Sequence, residues 1–274
     1  MSRSFRKRFE GQSVTTVRGE DRPSSVAAAR TGQASVPAAT RAYKLVRSSD
    51  LVMGQAHDVS AVERFRRLKT VLSQSSLEPL QVIAVSSPVP RDGKSFVAVN
   101  LALAFSEDRD YRTLIVDADL RRPSVSRFLQ PEPLEGMHEV LSGRKSVERA
   151  ICRPADSRLH FLPAGEATQD SIRLLTSTKC ESLFNALRGQ YEKIIVDTPP
   201  TVLFADADVV GACTDGLVLV VRSGQTPRPL YTRAIESITS TRIVGTVINA
   251  AADALSDPSS RYNYYEKYYR DDKK

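Results

Sequence analysis

Gly93-Lys94-Ser95 closes a stretch that can hold a polyphosphate. An apolar run, 81–85, precedes the stretch 85–95, and an amphipathic run, 95–105, follows it. Strand, loop and helix in that order point backbone N–H groups at phosphate oxygens. A lysine there adds a point charge, and a serine hydroxyl can hold Mg²⁺. Pro90, Arg91, Asp92, Gly93, Lys94, Ser95 and Phe96 are therefore candidate nucleotide contacts. The usual pattern opens with a glycine six residues before the lysine, where this chain has Pro88. A polar turn ahead of a core helix would look the same over so few residues, so the weight falls on what accompanies the loop.

Three carboxylates accompany it. Asp117 and Asp119 close the apolar run 114–116, and Asp197 closes 194–196 ahead of Thr198-Pro199-Pro200. Phosphoryl transfer needs negative oxygens neutralised and an attacking hydroxyl positioned. Mg²⁺ keeps several waters, so one or two carboxylates suffice to hold it. Asp117 and Asp119 point to opposite sides if both are in strand geometry, one to a metal and the other to an arginine or a helix. A strand-end aspartate can also merely cap the next helix. At the far end, Tyr262, Tyr264, Tyr265, Tyr268 and Tyr269 crowd into eight residues, with Lys267 among them and Arg270 next. Alternating tyrosines can build an edge strand, but this cluster has no apolar face to bury. It reads as a set of phosphate acceptors on a tail.

The elements that must position these groups alternate. Apolar runs at 81–87, 112–118, 159–163, 193–197, 216–222 and 243–249 predict strands covered on both faces. Helical patterns fall at 95–107, 134–142, 170–188, 206–213 and 228–238, with another at 62–72. Such alternation predicts an α/β fold with a doubly wound, mostly parallel sheet and right-handed crossovers. Ligands in such sheets sit beyond the carboxyl ends of the strands.

The chain of 274 residues has room for one such domain plus extensions. We expect a basic, disordered tail at 1–50, the domain at 51–252 and a tyrosine-rich tail at 253–274. Residues 1–50 carry ten Lys or Arg against four Asp or Glu, so most of the net charge of +7 lies there. The domain itself is nearly neutral, which argues against nucleic acid as a partner. A basic tail suits an anionic lipid surface or an acidic partner, but a solvated leader is the plainer reading. No run reaches the length of a membrane helix. Cys152, Cys180 and Cys213 are odd in number and widely spaced, which suits a reducing cytoplasm. His57, His138 and His160 are scattered, so no zinc pattern emerges.

The chain resembles the bacterial tyrosine kinases (BY-kinases) paired with exopolysaccharide or capsule assembly. That family's loop ends P-G-E-G-K-S/T, matched by Pro90 to Ser95. Its D-x-D-x-R is matched by Asp117, Asp119 and Arg121, and its D-x-P-P by Asp197, Pro199 and Pro200. Its E-x-x-R-x-x-R, which mediates subunit association, is matched by Glu63, Arg66 and Lys69, with lysine last. The tyrosine-rich tail completes the series, and the likeness covers about residues 60–270.

The resemblance implies a P-loop NTPase fold of the MinD/ParA kind, with ATP and Mg²⁺ as cofactors. Lys94 would hold the β- and γ-phosphates. Ser95, Asp117 and Asp197 would hold the metal, Asp197 through water. Asp117 or Asp119 would orient or deprotonate the tyrosine hydroxyl, Asp117 being our choice. Asn249 falls where related folds set an asparagine against the base. The implied partners are other copies of the chain, in a ring loosened by tail phosphorylation, a separate membrane activator of the chain-length or co-polymerase type, and a tyrosine phosphatase. The implied location is the cytoplasm, at the inner face of the plasma membrane.

Two positions depart from the family. Arg91 replaces a glycine, at a cost of about 1–2 kcal/mol if the site needs positive φ. Phe96 replaces the hydroxyl residue after the serine. These departures support a competing reading, an ATP-binding scaffold for polysaccharide chain-length control. A MinD/ParA-type ATPase is the other competitor. That class carries an extra lysine five residues before the loop lysine, where this chain has Val89, and it reads D-x-D-P-Q. Both features favour the kinase.

Overall fold

The apolar runs line up as one parallel sheet. The computed structural model describes residues 42–46, 51–54, 59–74 and 79–250. Its strands are β1 (Lys44–Leu45), β2 (Val82–Ser86), β3 (Thr113–Asp117), β4 (Leu129–Gln130), β5 (Leu159–Leu162), β6 (Lys193–Asp197), β7 (Gly216–Arg222) and β8 (Ile243–Asn249). Six of them form a sheet in the order β5-β3-β6-β2-β7-β8. Every neighbouring pair in it is parallel. The helices are α1 (Val59–Gln74), α2 (Lys94–Ser106), α3 (Met137–Leu141), α4 (Val147–Ala150), α5 (Ser171–Leu175), α6 (Thr178–Arg188), α7 (Asp206–Gly211) and α8 (Arg228–Ser237). No described helix is long and apolar enough to cross a membrane.

Strand alternation divides the core between two faces. Ile83, Val85, Ile115 and Ile195 pack with α2 and with Phe65 and Leu72 of α1. Their neighbours Val82, Leu114, Val116, Ile194 and Val196 pack with Leu183, Phe184 and Leu187 of α6. Helix α2 is buried from Val97 through Ser106 because its sequence is apolar on almost every side. The sheet lies on one flank and α1 on the other. Phe65 and Phe96 join α1 to α2 edge to face, with centroids 5.8 Å apart. Phe96 therefore stands where the family has a hydroxyl because it fills this inter-helix gap.

Besides the short helix α4, which no apolar spacing marked, the structure departs from sequence expectation in two places. The helix expected over 170–188 is two helices. Thr176 Oγ1 donates to the Ile172 carbonyl at 2.8 Å, and Ser177 Oγ to that of Leu174 at 2.5 Å. These hydroxyls end α5, and Ser177, in extended conformation, caps α6. The second departure is a strap ahead of residue 51. β1 pairs antiparallel with β4, Lys44 opposite Gln130. Leu45 N donates to Asp156 Oδ1 at 3.0 Å, and Tyr43 and Leu45 pack on the core. Residues 43–45 thus belong with the domain, although composition groups them with the basic tail.

Candidate active site

The site is built at the carboxyl edge of β2, β3 and β6. β6 lies between the other two, so the loop from β2 and the carboxylates of β3 and β6 meet there. Asp117 and Asp197 stand opposite each other in register on adjacent strands. Both are fully buried.

The loop between β2 and α2 carries its distinctive backbone at two residues. Arg91 has φ 71° and Gly93 φ 100°. A left-handed arginine costs about 1–2 kcal/mol, so the arginine sits where the family's glycine would be at ease. Gly93 is doubly required, because a Cβ there would run into the side-chain amide of Asn249. Gly93 caps α2, its carbonyl accepting from Val97 N at 2.9 Å. The first N–H groups of α2 follow it, and groups in that position lack intrahelical partners. The beginning of the loop is pinned to the Asp197 segment. Thr198 N donates to Val85 O at 3.0 Å, Thr201 N to Ser87 O at 2.9 Å, and Ser86 Oγ to Pro199 O at 2.7 Å.

Lys94 reaches the carboxylates. Its Nζ lies 2.9 Å from Asp119 Oδ2 and 3.3 Å from Asp197 Oδ1. Burial alone would lower its pKa, but Asp197 and Asp119 outweigh burial and hold the ammonium charged well above its ordinary value. Ser95 Oγ donates to Asp197 Oδ2 at 2.5 Å. Asp117 accepts N–H groups from Asp119 at 3.1 Å and from Ser124 and Val125 at 2.9 Å each. Burial, and then the charge on Asp197, still push Asp117 up to about 7. Burial likewise raises Asp197, against the pull of Lys94 and Ser95. Three carboxylates, Asp117, Asp119 and Asp197, face one ammonium. That imbalance, with a hydroxyl alongside and all donors oxygen, fits a small divalent cation such as Mg²⁺.

Asp119 lies past the end of β3, which frees it from strict alternation and lets it turn to Lys94. Arg121 of the D-x-D-x-R stretch faces elsewhere. Its Nε donates to Asp206 at 3.2 Å, and its guanidinium lies 4.5 Å over the Phe204 ring. Asn249, at the end of β8, donates from Nδ2 to Asp92 O at 2.9 Å, so its amide ties β8 to the loop. Ser124 is a site residue that sequence reasoning missed. Its hydroxyl donates to Ser95 Oγ at 2.8 Å and lies 3.5 Å from Asp197 Oδ2. Nothing in the sequence marks it, because it is a serine in a short turn after Pro123. Glu63 and Arg66 lie apart from this cluster, exposed on α1. Arg66 pairs with Glu63 at 2.7 Å and with Glu107 at 2.9 Å, and Lys69 is partly buried one turn on. Tyr262, Tyr264, Tyr265, Tyr268 and Tyr269 lie outside the described residues.

No family model matches the chain. Among characterised proteins it is 31% identical over 206 residues to Tyrosine-protein kinase YwqD of Bacillus subtilis, covering 74% of this chain and 85% of that one. This chain belongs to the bacterial tyrosine-protein kinases. Its likeness to another relative, the Succinoglycan biosynthesis transport protein ExoP of Rhizobium meliloti, is 30% over 220 residues, 76% of this chain but 28% of ExoP. Among solved structures, the kinase domain of the Escherichia coli tyrosine kinase ETK superimposes with a TM-score of 0.71 at 25% identity, covering 78% of this chain and 84% of that domain. The fold extends beyond the kinases. MinD of Pyrococcus horikoshii, solved with Mg-ADP, aligns with a TM-score of 0.51 at 22% identity over 61% of this chain and 69% of its own. The doubly wound sheet expected from the alternating pattern, and the P-loop type that the family resemblance implied, are thus present, and a kinase sits on them.

Proposed function

We propose that this chain is an ATP- and Mg²⁺-dependent autokinase that transfers the γ-phosphate in trans to the tyrosines of its own C-terminal cluster. The observation that carries this reading is the buried set of three carboxylates around Lys94 and Ser95, a cation deficit at the mouth of a phosphate loop. Bound Mg²⁺ would neutralise phosphate oxygens as charge shifts during transfer. Ser95, Asp117 and Asp197 would hold it. Lys94 would exchange its carboxylate partners for phosphate oxygens, and the N–H groups opening α2 would add donors. A tyrosine hydroxyl has a pKa near 10, so it needs a partner near neutral pH. Asp117, buried beside Asp197 at the strand end, is our choice to orient or deprotonate that hydroxyl.

ExoP is named for succinoglycan biosynthesis and transport, which supports a place for this chain in exopolysaccharide or capsule synthesis and export. We place the kinase, at 51–252 with the strap at 43–45 joined to it, between a basic leader and the tyrosine tail. It works at the inner face of the plasma membrane beside a separate membrane co-polymerase that activates it, with a tyrosine phosphatase to reverse it. Copies associate through the α1 face bearing Glu63, Arg66 and Lys69, and each added phosphate, worth roughly −1.5 to −2 charges, loosens the assembly. Equal masses for the phosphorylated protein and a tail Tyr-to-Phe variant would sink that last point.

The deciding experiment incubates purified protein with ATP and Mg²⁺ beside Lys94→Ala and Asp117→Ala and maps modified residues by mass spectrometry. Phosphate on Tyr262–Tyr269 that vanishes in both variants is expected. No phosphotyrosine, even with the activator's cytoplasmic segment present, would leave the ATP-binding scaffold as the better reading.

A further inference from the structure

The phosphate loop contains a negative charge of its own. Asp92 stands immediately before Gly93. A carboxylate facing bound phosphates would repel them strongly where water is thin. Yet Asp92 is only 3% exposed, and the structure shows what holds it. Asp92 Oδ1 accepts from Thr226 Oγ1 at 2.8 Å, and Oδ2 from Val89 N at 3.3 Å. Thr226 belongs to the turn between β7 and α8, and its Oγ1 accepts from Arg222 N at 2.8 Å. With that N–H on a lone pair, the single hydroxyl proton is committed to Asp92. Both donors to Asp92 are uncharged, so no cation stands beside the carboxylate in these bonds. Two further bonds fasten the same stretch, from Asn249 Nδ2 to Asp92 O at 2.9 Å and from Arg222 Nη1 to Arg91 O at 3.3 Å. The left-handed Arg91 is thus clasped on its C-terminal side.

We propose that Thr226 is a positioning residue for the nucleotide site, whose hydroxyl keeps the Asp92 carboxylate tucked into the β7–α8 turn and off the bound phosphates. The inference rests on the nucleotide reading above. Without the hydroxyl, the buried carboxylate loses a donor, and exposure towards the mouth of the loop becomes its best source of solvation. The candidate nucleotide contacts of the loop then divide by role. The main chain around Asp92 and Gly93 serves the phosphates, whereas the Asp92 side chain is a liability that Thr226 contains.

The test measures MgADP binding by calorimetry, which needs no phosphoryl transfer. Thr226→Val keeps the volume and removes the hydroxyl. Its Kd should rise about tenfold, as expected for losing a hydrogen bond to a charged group. Thr226→Ser should recover most of that loss. Adding Asp92→Asn to Thr226→Val should also recover it, because the misplaced charge is gone. A purely structural role for Thr226 predicts no such recovery. Calorimetric stoichiometry reports the folded fraction, so a partly unfolded variant still yields a Kd, and Thr226→Ala serves if the valine does not fold. Binding by Thr226→Val equal to wild type would overturn the proposal, as would a double variant no better than Thr226→Val. Failure of the wild-type chain to bind MgADP would instead overturn the nucleotide reading, and this inference with it.

Discussion

Two carboxylate sites lie at opposite edges of one sheet, one fully buried and one partly buried, and they titrate in opposite directions. At the carboxyl edge, Asp117 and Asp197 hold protons more tightly than ordinary carboxylates, burial being the main cause in both. At the amino edge, Asp215 sits just before β7. Burial pushes it up too, but Arg188 and backbone donors outweigh burial and lower it. Arg188 grips it with two bonds, 2.7 and 3.0 Å long, and the N–H groups of Val82 and Gln81 add two more at 2.7 and 2.8 Å. Burial is complete at Asp117 and Asp197 and only partial at Asp215. The supply of positive charge differs as well. Asp215 has its own arginine, whereas three carboxylates share Lys94. A cluster with compensation built in is a fastener, and one left short of it is a place for a cation.

The largest test of this contrast removes the shared ammonium. Lys94→Met should lower phosphotyrosine formation at least ~1000-fold, since positioning and charge stabilisation supply nearly all of such catalysis. Autophosphorylation rates read by mass spectrometry check this, and a loss under tenfold would break the assignment. Next comes one chemical change with opposite signs at the two edges. In metal-free buffer Asp197→Asn should stabilise the fold by about 1–3 kcal/mol, because it removes an under-compensated buried charge. Asp215→Asn should destabilise it by about 1–3 kcal/mol, because a charge-assisted clasp weakens. Denaturant titration measures both, and equal signs would erase the distinction.

The pH dependence should separate the clusters again. Asp215 is lowered from 3.8, so its contribution is full above that value and fades as pH falls through the lower folded value. The stability difference between wild type and Asp215→Asn should therefore shrink below about pH 4. Asp117 is raised from 3.8 to about 7, so the unfolded chain ionises first and the fold loses stability between those values. The gain from Asp117→Asn in chelator-treated protein should appear above about pH 4 and reach its full size above pH 7. Melting curves across pH check both. The smallest effect concerns the loop backbone. Arg91→Gly relieves a left-handed arginine but adds chain entropy, for a net gain of under about 1 kcal/mol. A drop in melting temperature would show that the arginine side chain stabilises the loop.

All six strands were legible because each is an apolar run bounded by turn residues, and the crossovers followed from their alternation. The strand-end carboxylates were legible for the same reason, since Asp117 and Asp197 interrupt apolar runs at their carboxyl ends. What stayed hidden depends on contacts between residues far apart in the chain. Thr226 meets Asp92 across 134 positions, and Ser124 meets Ser95 across 29. Phe96 looked like a defect in the phosphate loop until Phe65 appeared beside it. The β1–β4 ribbon spans two residues per strand, too short for any periodicity to register. The 170–188 helix kept its apolar spacing across Thr176-Ser177, so only the hydroxyl bonds of those residues reveal the break.

The placement of β6 between β3 and β2 has a consequence for how the molecule comes into being. β2 and β3 leave the ribosome first, yet neither pairs with the other; both pair with β6. A nascent chain that stops short of residue 193 has the phosphate loop and Asp117 but lacks the strand that joins their parent strands into one sheet. Parallel pairing of this kind is slow, because distant segments must meet before any ladder forms. Catalytic competence should therefore arrive in one late step, when Lys193–Asp197 slots home. Synthesis truncated before that point yields a chain with no assembled centre, exposed to aggregation and proteolysis.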